Sequence, residues 1–175
     1  MATKILIIED EEEIRRVLRI LLKQTGYDLL EAPDAETAFQ FLKDYADQIE
    51  VAICDVKMPR ISGIDILQQI KRDFDTLPVI ILTGLIDLNV AVEVMKKGAF
   101  DYLTKPVKKE DLILVIEKAI NHKRFLCNYV RMQQENQQYR EGLEKILDEK
   151  AKELEFASLQ LKKIREDLLK LKSPS

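Results

Sequence analysis

Cysteine and histidine are scarce in this chain of 175 residues, which carries Cys only at 54 and 127 and His only at 122. Two thiols argue against a disulfide framework or a zinc-type thiolate site, and both read as small apolar fillers, Cys54 in a core strand and Cys127 near a helix seam. No apolar stretch approaches the ~18 residues that would suggest a membrane span, and no signal peptide is evident. A soluble, cytoplasmic protein in a reducing compartment is expected. No Lys/Arg cluster interleaved with aromatics is found, and residues 121–175 hold neither a helix-turn-helix pattern nor a Gly-rich nucleotide loop. Partners in the form of nucleic acid or membrane are therefore not expected of this chain. Between residues 119 and 172 there is no proline, and Gly142 is the only glycine.

What is present divides unevenly. Residues 1–120 carry 16 Lys+Arg against 22 Asp+Glu, a balance of -6, whereas 121–175 carry 12 against 9, a balance of +3. A chain of this length accommodates one domain with a substantial core, and the remainder must be thinner. The boundary is placed at 120, with a globular domain over 1–120 and a helical extension over 121–175.

Within the first part, Ile- and Val-rich runs at 5–8, 51–54 and 79–82, and the run Phe100-Asp101-Tyr102-Leu103, read as strands buried on both faces. A poorer run covers Asp28 to Glu31. Helical patterns lie between them. Ile14, Val17, Leu18, Leu21 and Leu22 form one stripe, with Gly26 as the stop. Ala35, Ala38, Phe39 and Leu42 form a second, with Asp34 as N-cap. Ser62 caps a helix carrying Ile66, Leu67 and Ile70, and Asp87 one carrying Val90, Val94 and Met95 that stops at Gly98. The fifth helix begins near Lys108 to Asp111. Five strand-helix alternations with short connections specify an α/β doubly wound five-stranded parallel sheet, followed by a long C-terminal helix.

The strands exit at Asp10, Asp55, Thr83 and Lys105. In a parallel sheet all strand ends lie along one edge, where ligands bind, so the four should converge. Taken singly, Asp10 would pass for an N-cap, Thr83 for a turn hydroxyl, Lys105 for a surface amine and Tyr102 for a core ring. Carboxylates crowded together must hold a proton or a cation. With Glu9, Asp10 and Asp55 as oxygen donors, and the backbone carbonyl of Lys57 completing the set, the suited ion is Mg²⁺ or Mn²⁺. Asp10 and Asp55 would ligate directly and Glu9 through water. Lys105 and Thr83 across from the ion make a receptor for a phosphoryl group, and Asp55 on the middle strand is the natural nucleophile.

These residues carry a resemblance. The pair Glu9-Asp10, the segment Asp55-Val56-Lys57-Met58-Pro59 followed by Gly63, the pair Thr83-Gly84, and the run Asp101-Tyr102-Leu103-Thr104-Lys105-Pro106 resemble the receiver domain of two-component response regulators. The resemblance implies a flavodoxin-like fold and phosphotransfer from a sensor histidine kinase to Asp55 with Mg²⁺. It implies a phosphoryl-contacting role for Thr83 and Lys105, a switch role for Thr83 and Tyr102, and a cis Lys105-Pro106 bond. Glu9-Asp10 departs from the commoner double aspartate. Lys96, Lys97, Lys108 and Lys109 would make the fifth-strand face basic, as a partner surface or as ordinary solvated lysines. His122, followed by Lys123-Arg124-Phe125, reads as a seam or surface residue and not as a phosphorelay site.

The extension fits a heptad frame in which Leu147, Leu154, Leu161 and Leu168 share one core position and Leu143, Lys150, Ala157, Ile164 and Leu171 the other. Carried backwards the frame reaches Leu126 and Tyr129 but then meets Gln133, Asn136 and Arg140, so the middle is a weak seam with Gly142 as a candidate break. Continuous from Glu110, the helix would be on the order of 90 Å long. Its stripe calls for a second copy of the chain or, alternatively, its own domain. The leading expectation is a dimeric response regulator, a phosphoacceptor and not an enzyme beyond self-phosphorylation and self-dephosphorylation. It would pass its state through the fifth helix and coiled coil to an output domain or partner. The alternatives are a constitutively dimeric scaffold with a receiver as docking head, a fragment of a larger signalling enzyme, and, least favoured, an acid-cluster phosphohydrolase.

Overall fold

A computed structural model describes residues 3–84 and 88–171. The elements alternate along the chain: β1 (Lys4–Ile8), α1 (Glu12–Leu22), β2 (Asp28–Ala32), α2 (Ala35–Tyr45), β3 (Ile49–Asp55), α3 (Gly63–Asp73), β4 (Val79–Thr83), α4 (Leu88–Lys96), β5 (Asp101–Thr104) and α5 (Lys109–Leu171). The strands form one parallel sheet in the order β2-β1-β3-β4-β5. The side on which successive strands are added reverses between β1 and β3, which opens a crevice at their carboxyl ends.

Alternate strand residues supply two cores. Leu6, Ile8, Ala52, Cys54, Val79 and Ile81 face α2, α3 and α4 through Leu42, Ile66, Leu67, Ile70 and Val94. Ile5, Ile7, Val51, Ile53, Ile80 and Leu82 face α1 and α5 through Leu18, Leu22, Leu112 and Ile116. Because β1, β3 and β4 are covered on both sides, their residues read as unbroken apolar runs, and each buried Leu or Ile contributes about 1.5–3 kcal/mol. A charge introduced at Ile53, fully buried at the centre, would break this layer. Of the runs expected to be buried on both faces, β5 departs: it alternates half-buried and exposed residues and is shifted one residue from the run at 100–103. The poorer run, β2, is mostly half-buried.

Helix termini follow local chemistry. Asp34 accepts the Thr37 amide at 2.8 Å and Ser62 the Ile64 amide at 3.1 Å, the expected N-cap bonds. Asp87 lies outside the described residues. Helices α1 and α4 give way at Gly26 and Gly98, both at positive φ. Two stripe residues, Val17 and Met95, are exposed instead of buried, because the α1 core face runs through Arg15, Leu18 and Leu22, and α4 is anchored by Ala91 and Val94. Low on the sheet, the buried Lys123 ammonium donates to the Ile49 carbonyl and ties α5 to the start of β3. The His122 ring, on an exposed residue, lies 5.4 Å from the Phe100 ring.

The chain divides into two compact units, the first ending at Cys127 and the second beginning at Asn128. In the second unit α5 runs through Gly142 without interruption, so the expected break does not occur. One helical glycine costs about 1 kcal/mol, and pairs one turn apart offset it, among them Gln137–Glu141, Lys152–Asp148 and Lys150–Glu153. Every described residue from Cys127 to Leu168 is exposed, including Cys127 itself. Among the described residues no helix is long and apolar enough to cross a membrane.

Candidate functional site

The ladder at the carboxyl edge brings the expected residues together. Beyond β1 the Glu9 amide donates to Ala32, beyond β3 the Val56 amide donates to Leu82, and beyond β5 the Lys105 amide donates to the Thr83 carbonyl at 2.8 Å. Glu9, Asp55 and Thr83 are buried and Asp10 is half-buried. One carboxylate oxygen from each of Glu9, Asp10 and Asp55 falls within 4.8 Å of the others. The Lys105 ammonium reaches into this group, 2.7 Å from Glu9 Oε2 and 2.8 Å from Asp55 Oδ1. Asp55 Oδ2 accepts the Lys57 amide at 3.0 Å, which fixes the carboxylate plane and brings the Lys57 backbone to the cluster.

Asp10 does not cap α1. The cap residue is Glu11, whose side chain makes no cap bond, so the Asp10 carboxylate is left to the cluster. Arg15 was not anticipated. Its guanidinium donates to the backbone carbonyls of Glu9 at 2.6 Å and Asp10 at 2.9 Å and also meets Glu12, holding the turn that aims the acidic pair. The available signal was its spacing of three and seven residues from Leu18 and Leu22, which sets a charged residue on the buried face of α1.

Gly63 supplies a second support. A Cβ there would lie 1.8 Å from the Asp55 carbonyl oxygen, so α3 can start against the end of β3 only with glycine at this position. The Gly63 amide donates to Val56 at 3.0 Å and closes the loop. Lys105-Pro106 is cis. Beside Lys105 an open groove of about 520 Å³ runs between Ile14 and Val17 of α1 and Gly84 and Pro106.

The electrostatics are those of an acid cluster with too little cation. Burial pushes the Glu9 carboxyl above its ordinary range, and Asp55 nearby adds to this, against the hydrogen bond from Lys105. At Lys105 burial acts to lower the ammonium value, but the bonds to Asp55 and Glu9 together outweigh it and hold it above the usual range. Pairing wins at Lys105 because two acids share it, and burial wins at Glu9 because that carboxylate sees no water. Three oxygen donors with one ammonium leave room for further positive charge. The donor set fits a hard divalent ion such as Mg²⁺ and holds nothing that would favour a softer metal. Burial also keeps the Cys54 thiol protonated, its value pushed far above the ordinary thiol, in keeping with a core filler.

Tyr102 pairs with Ile81 in the sheet and is 37% exposed on the outer edge, not a core ring. Of the four lysines expected to make this face basic, Lys96 and Lys108 are exposed, Lys97 stands 3.8 Å from Glu93, and Lys109 donates to Gln24.

Known proteins share this fold. Residues 5–117 match the family model described as the response regulator receiver domain. The chain is 36% identical over 118 residues to the DNA-binding transcriptional regulator NtrC of Proteus hauseri, covering 67% of this chain and 24% of that protein. It is 39% identical over 110 residues to the probable transcriptional regulator ycf27 of Galdieria sulphuraria, covering 62% and 42%. It thus spans less than half the length of these curated relatives. A receiver domain structure from Clostridium thermocellum is 43% identical with a TM-score of 0.68, over 71% of this chain and 98% of that one. NtrX from Brucella abortus is 30% identical with a TM-score of 0.70, over 75% and 30%. Fold, carboxyl-edge cluster and sequence match agree: the chain belongs to the response regulator receiver domain family.

Proposed function

We propose that the chain is a two-component response regulator that accepts a phosphoryl group on Asp55 from a sensor histidine kinase. One observation carries the reading. The Asp55 carboxylate stands at the end of the middle strand with one oxygen on the Lys105 ammonium at 2.8 Å and the other on the Lys57 amide at 3.0 Å, beside Glu9 and Asp10.

In this reading an Asp55 oxygen attacks phosphorus, the P–N bond of a phosphohistidine donor breaks, and the imidazole leaves with the nitrogen electron pair and takes up a proton. An acyl phosphate results. Glu9, Asp10, Asp55 and the Lys57 carbonyl would hold Mg²⁺, which supplies charge neutralisation of the phosphoryl oxygens when bound. Lys105 exchanges its carboxylate partners for a phosphoryl oxygen, and the Thr83 hydroxyl donates to another. Thr83, drawn toward the phosphoryl group, vacates space into which Tyr102 turns from its exposed position on β5. Apart from accepting and shedding its own phosphoryl group the chain is not an enzyme. It works in the cytoplasm.

The β4-β5 edge shares one core cluster with the start of α5 through Leu82, Leu103 and Leu112, and α5 continues without a break into the apolar-striped tail. A local charge change can thus bias how the tails of two copies pair, and the pairing reports to an output domain or partner. Purified histidine kinase charged with phosphate tests the transfer. Mg²⁺-dependent loss of phosphate from the kinase with gain on this chain, abolished in Asp55→Asn, is expected; transfer that survives in Asp55→Asn contradicts it. Light scattering with and without beryllofluoride tests the output. An unchanged dimer with unchanged tail helicity would favour a constitutive scaffold with a receiver as docking head.

A further inference from the structure

The tail presents two apolar frames, not one, and this deepens the homodimer reading above, on which it rests. In the frame through Leu147, Leu154, Leu161 and Leu168, the upstream core positions fall on Gln133, Asn136 and Arg140. One residue earlier, Met132, Tyr139 and Ile146 recur every seven residues, with Tyr129, Asn136 and Leu143 at the alternating positions. The five apolar members are between 42% and 67% exposed. Five apolar residues in six, at steps of three and four, make a proper heptad seam. The weak middle is therefore an effect of carrying the wrong frame upstream.

Leu143 belongs to both frames. Tyr139, Leu143 and Leu147 follow one another at steps of four and four, where an unbroken heptad would have four and three. Four extra residues in a heptad pattern form a stutter, which locally unwinds a coiled coil. Gly142 lies within it.

We infer that residues 129–168 pair in parallel and in register with a second copy of this chain, through a seam that changes frame at the stutter between Tyr139 and Leu147. Self-complementarity selects the occupant. Asn136 is the one polar core residue of the upstream frame. Its amide both donates and accepts, so it is satisfied by Asn136 of the other copy and by nothing apolar. Glu135 and Arg140 flank this seam at the two edge positions that meet across a parallel in-register pair, so each copy's Glu135 faces the other's Arg140. In the downstream frame the one charged core residue is Lys150, and its ammonium is already held 2.6 Å from Glu153. The pairing thus leaves no bare charge in the seam.

Single-cysteine cross-linking of the full chain tests this, in a Cys127→Ser background that keeps the fully buried Cys54. Met132→Cys and Tyr139→Cys should form self-disulfides under mild oxidation roughly tenfold faster than Gln133→Cys and Arg140→Cys, since only core positions bring two Cβ atoms within bridging distance. The opposite order means one unbroken heptad frame and overturns the inference. A chain that light scattering shows to be dimeric but that cross-links at none of the four positions refutes parallel in-register pairing. A chain that is monomeric at the same concentration removes the homodimer reading itself, an outcome distinct from the other two.

Discussion

Replacing Gly63 by alanine perturbs the proposed site without touching an ionisable group. The new methyl would lie 1.8 Å from the Asp55 carbonyl oxygen and 2.8 Å from its carbon, where contacts under 3.0 Å do not persist. At least 3.0 less 1.8, or 1.2 Å, must open between two backbones. Neither yields easily. Asp55 is paired with Leu82 in the sheet, and α3 is anchored by the fully buried Ile66, Leu67 and Ile70. Overpacking of this kind costs about 1–3 kcal/mol, and losing the Gly63–Val56 hydrogen bond adds about 1 kcal/mol. A total near 2–4 kcal/mol is expected from urea unfolding. A shift on the order of 1 Å at a reacting group lowers rates by about 10²-fold, so phosphorylation by acetyl phosphate with Mg²⁺ should slow by that factor in the variant that remains folded. Gly84→Ala is the control: among the described residues nothing lies within 4 Å of its Cβ, and its stability should change by no more than about 0.5 kcal/mol. If Gly63→Ala matches the parent in both stability and rate, the close approach of α3 to β3 is not what aims Asp55.

Lys105→Met leaves Glu9 and Asp55 buried without their cation, and the metal-free chain should lose about 3 kcal/mol in denaturant unfolding, with Mg²⁺ restoring part of it; an unchanged midpoint would contradict the shared ion pair. The folded Glu9 carboxyl is held above its ordinary value of 4.5, mainly by burial, so its favourable share of stability is complete below that value and is lost as pH rises through the raised one. The stability of the parent relative to Glu9→Gln should therefore fall as pH rises over that interval without metal, and Mg²⁺ should flatten the difference. Asp34→Ala removes the α2 cap and should cost about 1 kcal/mol at neutral pH. Because the Thr37 amide bond lowers the Asp34 value below 3.8, that contribution is present above 3.8 and should vanish as pH falls through the lower folded value, which paired pH titrations of parent and variant would detect.

The sheet and the cluster were legible because both follow from short-range rules. Three central strands carry nearly unbroken apolar runs, and parallel topology sends Asp55, Thr83 and Lys105 to one edge wherever their helices lie. Less legible was whatever depends on which side of an element meets its neighbour. Val17 shares a helical period with Leu18 and Leu21, yet it is exposed, because Arg15 and not Val17 lies on the side of α1 that faces the acidic turn. Tyr102 follows a buried-strand pattern, but β5 is an edge and the ring stands outside. Gly142 beside a weak seam marks a break in the sequence, but a local penalty of about 1 kcal/mol is too small to stop a helix supported on both sides by good helix formers. In the tail, a frame fitted from the C-terminal leucines hid a second one, since a stutter moves the stripe by one residue without interrupting it.

Every role proposed for the carboxyl-edge cluster depends on Asp55 being the phosphoacceptor. Treating the chain with acetyl phosphate and Mg²⁺, reducing with borohydride and sequencing the peptides by mass spectrometry reads it directly, because borohydride converts an aspartyl phosphate to homoserine. Homoserine is expected at position 55, dependent on Mg²⁺ and on the phosphodonor. An unmodified Asp55, or homoserine at Asp10 with Asp55 intact, would contradict it.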